Sequence, residues 1–172
     1  MPTKTVVILD GPIGVGKSTI GAELARRLDC AFLDADECSD HRRPWYCSSL
    51  STNRRILQRS LGAMKNSHCL IVARAIRRRE WIYFTRHLQR HRIRLLTVGL
   101  QASFEAIVDA RRGRAFSGHE KARIREMIRQ GYGARPFCDV LVKTDQQNFA
   151  ATVDLINARL KDLLTPHDAS NF

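Results

Sequence analysis

The chain of 172 residues has the length of one domain and the composition of a globular protein, with 44% hydrophobic and 27% charged residues. No apolar run approaches the roughly 18 residues of a membrane-spanning helix, and no secretory leader is recognisable at the N-terminus. The five cysteines form no CxxC pair. This predicts a reduced, cytoplasmic protein without a zinc site and without a membrane partner.

The balance of charge is strongly basic. Lys and Arg number 29 against 17 Asp and Glu, which gives a formal net charge of +12. Most of the cations are arginines, and they fall in several clusters along the chain instead of in one tail. Because guanidinium groups match phosphate and carboxylate oxygens, this distribution predicts anionic ligands bound by a folded domain, with RNA as a less favoured partner.

Strands and helices are predicted to alternate along the chain. Short apolar, β-branched runs predict strands over 5–9, 30–33, 69–73, 95–100 and 140–143. Apolar residues at helical spacing predict helices over 18–28, 53–66, 80–91, 104–112, 119–129 and 149–163. The stretch 38–49 has no clear period and contains Pro44, which predicts irregular structure.

This order of elements predicts a three-layer α/β fold, with five parallel strands covered by helices on both faces. No repeat or flexible linker divides the chain, so a single domain is expected over residues 1–172. In parallel sheets of this kind, ligands bind at the carboxyl ends of the strands.

The most specific motif follows the first predicted strand. The residues "GPIGVGKS", from Gly11 to Ser18, match the phosphate-binding loop G-x-x-x-x-G-K-[ST], with a strand before and a helix after it. Glycines allow backbone N–H groups to converge on an anion at a helix N-terminus, Lys17 reaches the outer phosphates, and the Ser18 hydroxyl binds Mg²⁺. The nucleotide-binding residues are predicted to be Gly11, Ile13, Gly14, Val15, Gly16, Lys17, Ser18 and Thr19.

A pair of acids follows the second predicted strand. In "FLDAD", the carboxylates of Asp34 and Asp36 are two residues apart and point the same way from an extended backbone. One can bind Mg²⁺, and the other can accept the proton of a hydroxyl that attacks the γ-phosphorus. No acid ends the third predicted strand, which argues against GTPases and motor ATPases and gives Asp34 more weight as a metal ligand.

The chain resembles the shikimate kinases and related small P-loop metabolite kinases in "GPIGVGKSTIG", "FLDAD", the arginine-rich segment after the fourth strand, and "CDVLVKTDQ". The resemblance implies a nucleoside-monophosphate-kinase/shikimate-kinase-like fold that uses ATP and Mg²⁺. It implies that Asp34 assists the metal and that Asp36 contacts the acceptor hydroxyl. It further implies a short arginine-rich lid over about 111–120.

In that family, one lid arginine flanks the adenine and another reaches the phosphates. Arg111 and Arg114 are the predicted counterparts, with Arg112 as an alternative to either. Asp145, in "KTDQ", is predicted to lie near the adenine.

The acceptor is predicted to bind near the segment 38–60, where Trp45, Tyr46 and neighbouring arginines could hold an anionic ring. The shikimate kinases carry a glycine triplet after the third strand, and this chain has "VARAIR" there instead. The departure argues against a diol acid held in the family's usual way. The predicted substrate-binding residues are Asp36, Arg54, Arg74 and Arg135.

The leading hypothesis is an ATP-dependent kinase that phosphorylates a hydroxyl of a small and, given the arginines, anionic metabolite. Its catalytic residues are predicted to be Lys17, Asp36 and Arg114. A kinase of nucleosides, nucleotides or RNA 5′-hydroxyls is a first alternative, suggested by the charge and the aromatic pair. An ATP-binding regulatory protein without phosphoryl transfer is a second, suggested by the missing acid after the third strand.

Overall fold

Five parallel strands form the sheet in the order β2-β3-β1-β4-β5. The computed structural model describes residues 4–38 and 45–165, apart from the side chains of 45–49 and 110. The strands are β1 (Thr5–Asp10), β2 (Ala31–Asp34), β3 (Cys69–Ala73), β4 (Arg94–Gln101) and β5 (Val140–Lys143). Every residue of β1 and β3 is buried, because helices cover both faces of the sheet at its centre.

The helices divide the core into two layers. They are α1 (Lys17–Leu28), α2 (Trp45–Asn66), α3 (Arg78–Arg90), α4 (Phe104–Val108), α5 (Gly118–Arg129) and α6 (Phe149–Leu164), with 3₁₀ turns at Ala35–Cys38 and Ala110–Arg112. Val7 and Leu9 of β1 face α1 and α6, whereas Val6 and Ile8 face α2 and α3. This alternation follows from the two-residue period of a strand.

The predicted α/β architecture is confirmed, with two local differences. Helix α2 begins at Trp45, so the prediction of irregular structure was wrong for 45–49, and residues 39–44 lie outside the described part. The Ser- and Thr-rich start of this helix has no apolar stripe to reveal it. The predicted helix 104–112 ends at Val108, because the Asp109 side chain accepts the N–H of Arg111 at 3.0 Å and tightens the next turn.

The sheet brings the motifs to one edge. The connection after β1 leads to β2 on one side, and the connection after β3 leads to β4 on the other, which leaves a crevice at the carboxyl ends of β1 and β3. Leu9 pairs with Ala73, and Ala73 pairs with Asp34. The ends of β1, β3 and β2 are therefore immediate neighbours. Within the described residues, no helix is both long and apolar enough to cross a membrane.

Candidate active site

The phosphate-binding loop connects β1 directly to α1. Gly14 adopts a positive φ of +78°, a conformation that favours glycine, and α1 begins at Lys17. The loop is anchored from beneath by Val15, which is buried in the core. The loop thus presents a helix N-terminus and backbone amides to the crevice, an arrangement suited to an anion.

Lys17 lies folded against this loop. Its ammonium donates to the carbonyl of Gly11 at 2.9 Å and to that of Pro12 at 2.8 Å. Burial lowers the pKa of Lys17 to about 8, against the opposing attraction of nearby carboxylates, that of Asp10 foremost. A desolvated cation whose two hydrogen bonds here go to neutral carbonyls is well placed to bind an incoming phosphate.

The two acids of "FLDAD" lie together at the same cleft. Asp34 ends β2, and its Oδ1 accepts the N–H of Asp36 at 3.1 Å. Asp36 lies in the first turn of the 3₁₀ helix that follows. Asp34 is half-buried and Asp36 is exposed, and both line the cleft with Lys17 and Ser18. The structure therefore brings together four predicted site residues.

The donor set fits Mg²⁺. The carboxylate of Asp34 and the hydroxyl of Ser18 are hard oxygen ligands, and Mg²⁺ characteristically takes one or two protein oxygens and completes its shell with phosphates and water. The described residues contain no group of three or more His, Cys, Asp or Glu that could hold a metal alone. A Mg²⁺ ion at this edge would accordingly depend on the phosphates of a nucleotide.

The cleft has a volume of about 930 Å³, near the upper end of the usual range for ligand pockets. Its lid side is formed by Arg112, Arg114 and Phe116. The Arg114 guanidinium lies 4.7 Å from the centre of the Phe116 ring and pairs with Glu120 at 3.1 Å. Arg114 therefore lines the same cleft as the phosphate loop.

Phe116, in the segment predicted as a lid, packs against Gly14. A Cβ atom built on Gly14 would lie 2.6 Å from Cζ of Phe116, so only glycine admits this ring. Arg112 also approaches Gly14, with its Nη1 3.5 Å from the carbonyl oxygen. The lid and the phosphate loop are in direct contact.

The prediction for Arg111 needs correction. Its side chain is 90% exposed and pairs with Asp109, with Nη2 2.6 Å from Oδ2, so it points away from the cleft that Arg112 lines. The turn imposed by Asp109 sets these directions. Arg112, which was named as an alternative to either arginine, does line the cleft.

Asp145, which was predicted to lie near the adenine, does not line the main cleft. Its Oδ2 accepts the N–H of Ser103 at 2.8 Å, a bond that lowers the pKa of the carboxyl, and the residue lines a neighbouring cavity. At the nucleotide end, Gln147, Asn148 and Phe149 line the main cleft instead. The chain after Asp145 thus reaches the main cleft, although Asp145 itself does not line it.

Of the three arginines predicted to bind the acceptor, Arg74 lines the cleft. Its Nη2 donates to Asn53 Oδ1 at 2.9 Å and lies 3.3 Å from Glu80 Oε1, and its side chain is only 15% exposed. Arg54 is exposed and is not part of the cleft lining, whereas the adjacent Asn53 is buried.

Arg135, the third of these arginines, does not line the cleft. It is half-buried and stacks over the Tyr132 ring at 4.4 Å. The side chains of Trp45 and Tyr46 lie outside the described part.

Comparisons with known proteins agree with this geometry. The family model described as shikimate kinase matches residues 13–44. Over 31 residues, 18% of each chain, the protein is 61% identical to the shikimate kinase of Streptomyces avermitilis. A solved gluconokinase from Sinorhizobium meliloti 1021 superposes with a TM-score of 0.72 over 95% of both chains, at 15% identity.

A shikimate kinase from Aquifex aeolicus vf5 gives a TM-score of 0.54 at 17% identity, over 92% of this chain and 97% of its own. The fold is that of the small P-loop kinases. The sequence matches to the first curated shikimate kinases span only 18–24% of those proteins' lengths. They confirm the resemblance to shikimate kinases across the phosphate loop and the acidic pair of this P-loop kinase fold.

Sequence reasoning missed Asp10, Asn53, Glu80 and Phe116. Asp10 had a signal, because an acid that ends the wholly apolar run "VVIL" must be buried or bound. Glu80 also had one, as the third residue of a helix where it completes a capping box. Asn53 and Phe116 gave none, since only the fold brings them to Arg74 and Gly14.

Proposed function

We propose that this protein is an ATP- and Mg²⁺-dependent kinase that phosphorylates a hydroxyl group of a small, anionic molecule. The observation that carries the proposal is the convergence on one cleft of the phosphate loop, the acid pair Asp34 and Asp36, and the lid residue Arg114. The P-loop kinase fold and the local match to shikimate kinases support the same reaction class.

The chemistry assigns a role to each residue. The acceptor oxygen forms a bond to the γ-phosphorus while the bond to the β–γ bridging oxygen breaks, and ADP leaves. Asp36 orients the hydroxyl and accepts its proton, and Lys17 and Arg114 stabilise the charge on the transferred group. Ser18 and Asp34 would hold Mg²⁺, which neutralises phosphate charge. Most of the acceleration comes from positioning and electrostatics.

An anionic acceptor is supported by Arg74. This guanidinium stands at the end of β3 in the cleft wall, and Asn53 and Glu80 fix its orientation. An immobilised, largely buried guanidinium is suited to a carboxylate or phosphate group. The four described cysteines are free thiols, which is consistent with the proposed cytoplasmic location.

The test is an acceptor screen for ADP production. The panel holds D-gluconate and shikimate as carboxylates, glucose and amino alcohols as acceptors without an anionic group, and nucleosides and a 5′-hydroxyl oligonucleotide for the alternatives. A carboxylate or phosphate acceptor is expected to stimulate ATP consumption in wild type. Lys17→Met is expected to abolish this stimulation because it removes the cation of the phosphate loop.

Arg74→Ala supplies the test of acceptor class. We expect the acceptor KM to rise about tenfold or more, with the KM for ATP little changed. Arg86→Ala is the matched control, since Arg86 is exposed on α3 and is not among the lining residues. The proposal fails if no panel member stimulates ATP consumption, or if Lys17→Met retains the stimulation. Preference for a neutral acceptor would overturn the anionic class alone.

A further inference from the structure

One buried carboxylate joins three segments around the cleft. Asp10 is the last residue of β1 and is fully buried. Its Oδ1 accepts the N–H of Ile76 at 2.9 Å, and its Oδ2 accepts the N–H of Gly133 at 2.9 Å. Ile76 lies two residues after Arg74, and Gly133 lies two residues before Arg135. Asp10 therefore connects the phosphate loop to two segments that carry arginines, 74–77 and 131–135.

The two segments are also bonded to each other. Arg77 Nε donates to the Tyr132 hydroxyl at 3.0 Å, and the Arg135 guanidinium stacks over the same ring. Arg77 in turn donates its backbone N–H to Glu80, which also pairs with Arg74. The segments 74–77 and 131–135 thus form one connected network, which is linked to β1 by the Asp10 carboxylate and by the Arg74 N–H, which donates to the Leu9 carbonyl at 3.1 Å.

A backbone contact reinforces this link. Gly133, with a φ of +79°, is packed so closely that an added Cβ would lie 2.1 Å from the carbonyl oxygen of Leu100 and 3.4 Å from Cα of Gly11. Gly11 is the first residue of the phosphate loop, and its carbonyl accepts one of the Lys17 hydrogen bonds. A displacement at Gly11 is therefore passed both to Gly133 by contact and to Asp10 through the chain.

Asp10 differs from the other acids of the site. Asp34 and Asp36 line the cleft, but Asp10 does not, and each of its oxygens already accepts a backbone N–H. Burial raises the pKa of its carboxyl, while the two amides and the charges of Lys17 and Arg135 oppose that shift. These contacts suit a residue that positions other groups and leave it no access to metal or substrate.

We propose that Asp10 is a positioning residue that transmits occupation of the phosphate loop to the segments 74–77 and 131–135, an inference that rests on the proposed function. When a triphosphate binds the Lys17 ammonium, the Gly11 and Pro12 carbonyls lose their donor, and the peptide next to Asp10 rearranges. The amides of Ile76 and Gly133 follow the carboxylate that they bind. Nucleotide binding then orders the acceptor side before the acceptor arrives.

Hydrogen–deuterium exchange with Mg²⁺ and the non-hydrolysable triphosphate AMP-PNP tests the inference without any acceptor. In wild type, AMP-PNP is expected to slow exchange about threefold or more in 74–77 and in 131–135, besides the phosphate loop. Asp10→Asn has one acceptor oxygen, and its NH₂ opposes the other amide. This variant is expected to bind AMP-PNP within about threefold of wild type, while the two segments no longer respond.

Asp139→Asn is the matched control, because Asp139 Oδ2 also accepts a backbone N–H, that of Thr97 at 2.7 Å, and Thr97 belongs to neither of the two segments. Its response should equal that of wild type. An unchanged response in Asp10→Asn would overturn the inference, as would wild-type protein that binds AMP-PNP without slower exchange in the two segments. If Asp10→Asn does not fold, Asp10→Ser, which keeps one acceptor oxygen and adds no amide donor, takes its place, and an unchanged response in that variant overturns the inference. Failure of wild type to bind AMP-PNP, measured by calorimetry, would instead refute the proposed function.

Discussion

The ammonium of Lys17 offers a quantitative test of the phosphate site. In the protein without ligand, burial lowers its pKa to about 8, although Asp10, Asp36 and Asp34 attract the charged form. A bound triphosphate brings several negative charges against the same group and raises its pKa again. Nucleotide binding above pH 8 must therefore be coupled to uptake of a proton by Lys17.

The magnitude follows from the fraction of Lys17 that is neutral before binding. With a pKa of about 8, that fraction is about 0.1 at pH 7, about 0.8 at pH 8.5 and about 0.9 at pH 9. Close to 0.8 proton should be taken up for each nucleotide bound at pH 8.5. The same coupling weakens the affinity about tenfold between pH 7 and pH 9. The sign is fixed, because the charged form binds and rising pH removes it.

Isothermal titration calorimetry with Mg·AMP-PNP at pH 8.5, in two buffers of different ionisation enthalpy, counts these protons. Lys17→Arg is the matched variant, because arginine keeps its charge throughout this range. We expect it to bind with almost no proton uptake, whatever its absolute affinity. Equal uptake by wild type and Lys17→Arg, or wild-type affinity that does not change from pH 7 to pH 9, would refute the reasoning.

Three further variants test other contacts. Gly133→Ala should lower the free energy of unfolding, measured by urea denaturation, by about 3 kcal/mol or more, because the added Cβ meets the Leu100 carbonyl. Gly131 has a similar φ of +77° but open space around it, so Gly131→Ala should lower the free energy of unfolding by about 1 kcal/mol. Equal losses in the two variants would contradict the packing argument. In steady-state assays, Arg112→Ala should raise the KM for ATP more than Arg111→Ala does, since Arg112 lines the cleft and Arg111 does not. A larger rise in Arg111→Ala would favour the prediction that Arg111 is the lid arginine. Phe116→Ala should increase ATP hydrolysis in the absence of an acceptor, because the ring covers Gly14 of the phosphate loop and its removal admits water. Phosphate release measures this hydrolysis, and an unchanged rate would contradict the prediction.

Local sequence patterns explain why the nucleotide end of the site could be predicted. The phosphate loop is one continuous motif between a strand and a helix, and the acid pair follows the next strand. Strand order then brings both to the same edge, as any parallel sheet of this type does. The placement of Lys17, Ser18, Asp34 and Asp36 at one cleft could therefore be predicted without knowledge of any long-range contact.

The acceptor side depends on contacts between distant residues, and the sequence carries little record of them. Asp10 and Gly133 are 123 positions apart, and Arg74 and Asn53 are 21 apart. The choice between Arg111 and Arg112 depends on a single turn at Asp109. Pattern alone could name arginines as candidates, but only packing decides which of them face the cleft.

The surroundings of Arg74 also limit how strongly the proposed kinase can select its acceptor. Glu80 stays beside the guanidinium at 3.3 Å, so a neutral acceptor would not leave Arg74 as an uncompensated buried charge. Nη2 is already engaged by Asn53 and Glu80, which leaves less of the guanidinium fork for a bidentate contact with the acceptor. Both features reduce the penalty for the wrong substrate. An anionic acceptor should consequently be preferred over its neutral analogue by about ten- to a hundredfold in kcat/KM, well below the discrimination of a site whose charge has no internal partner.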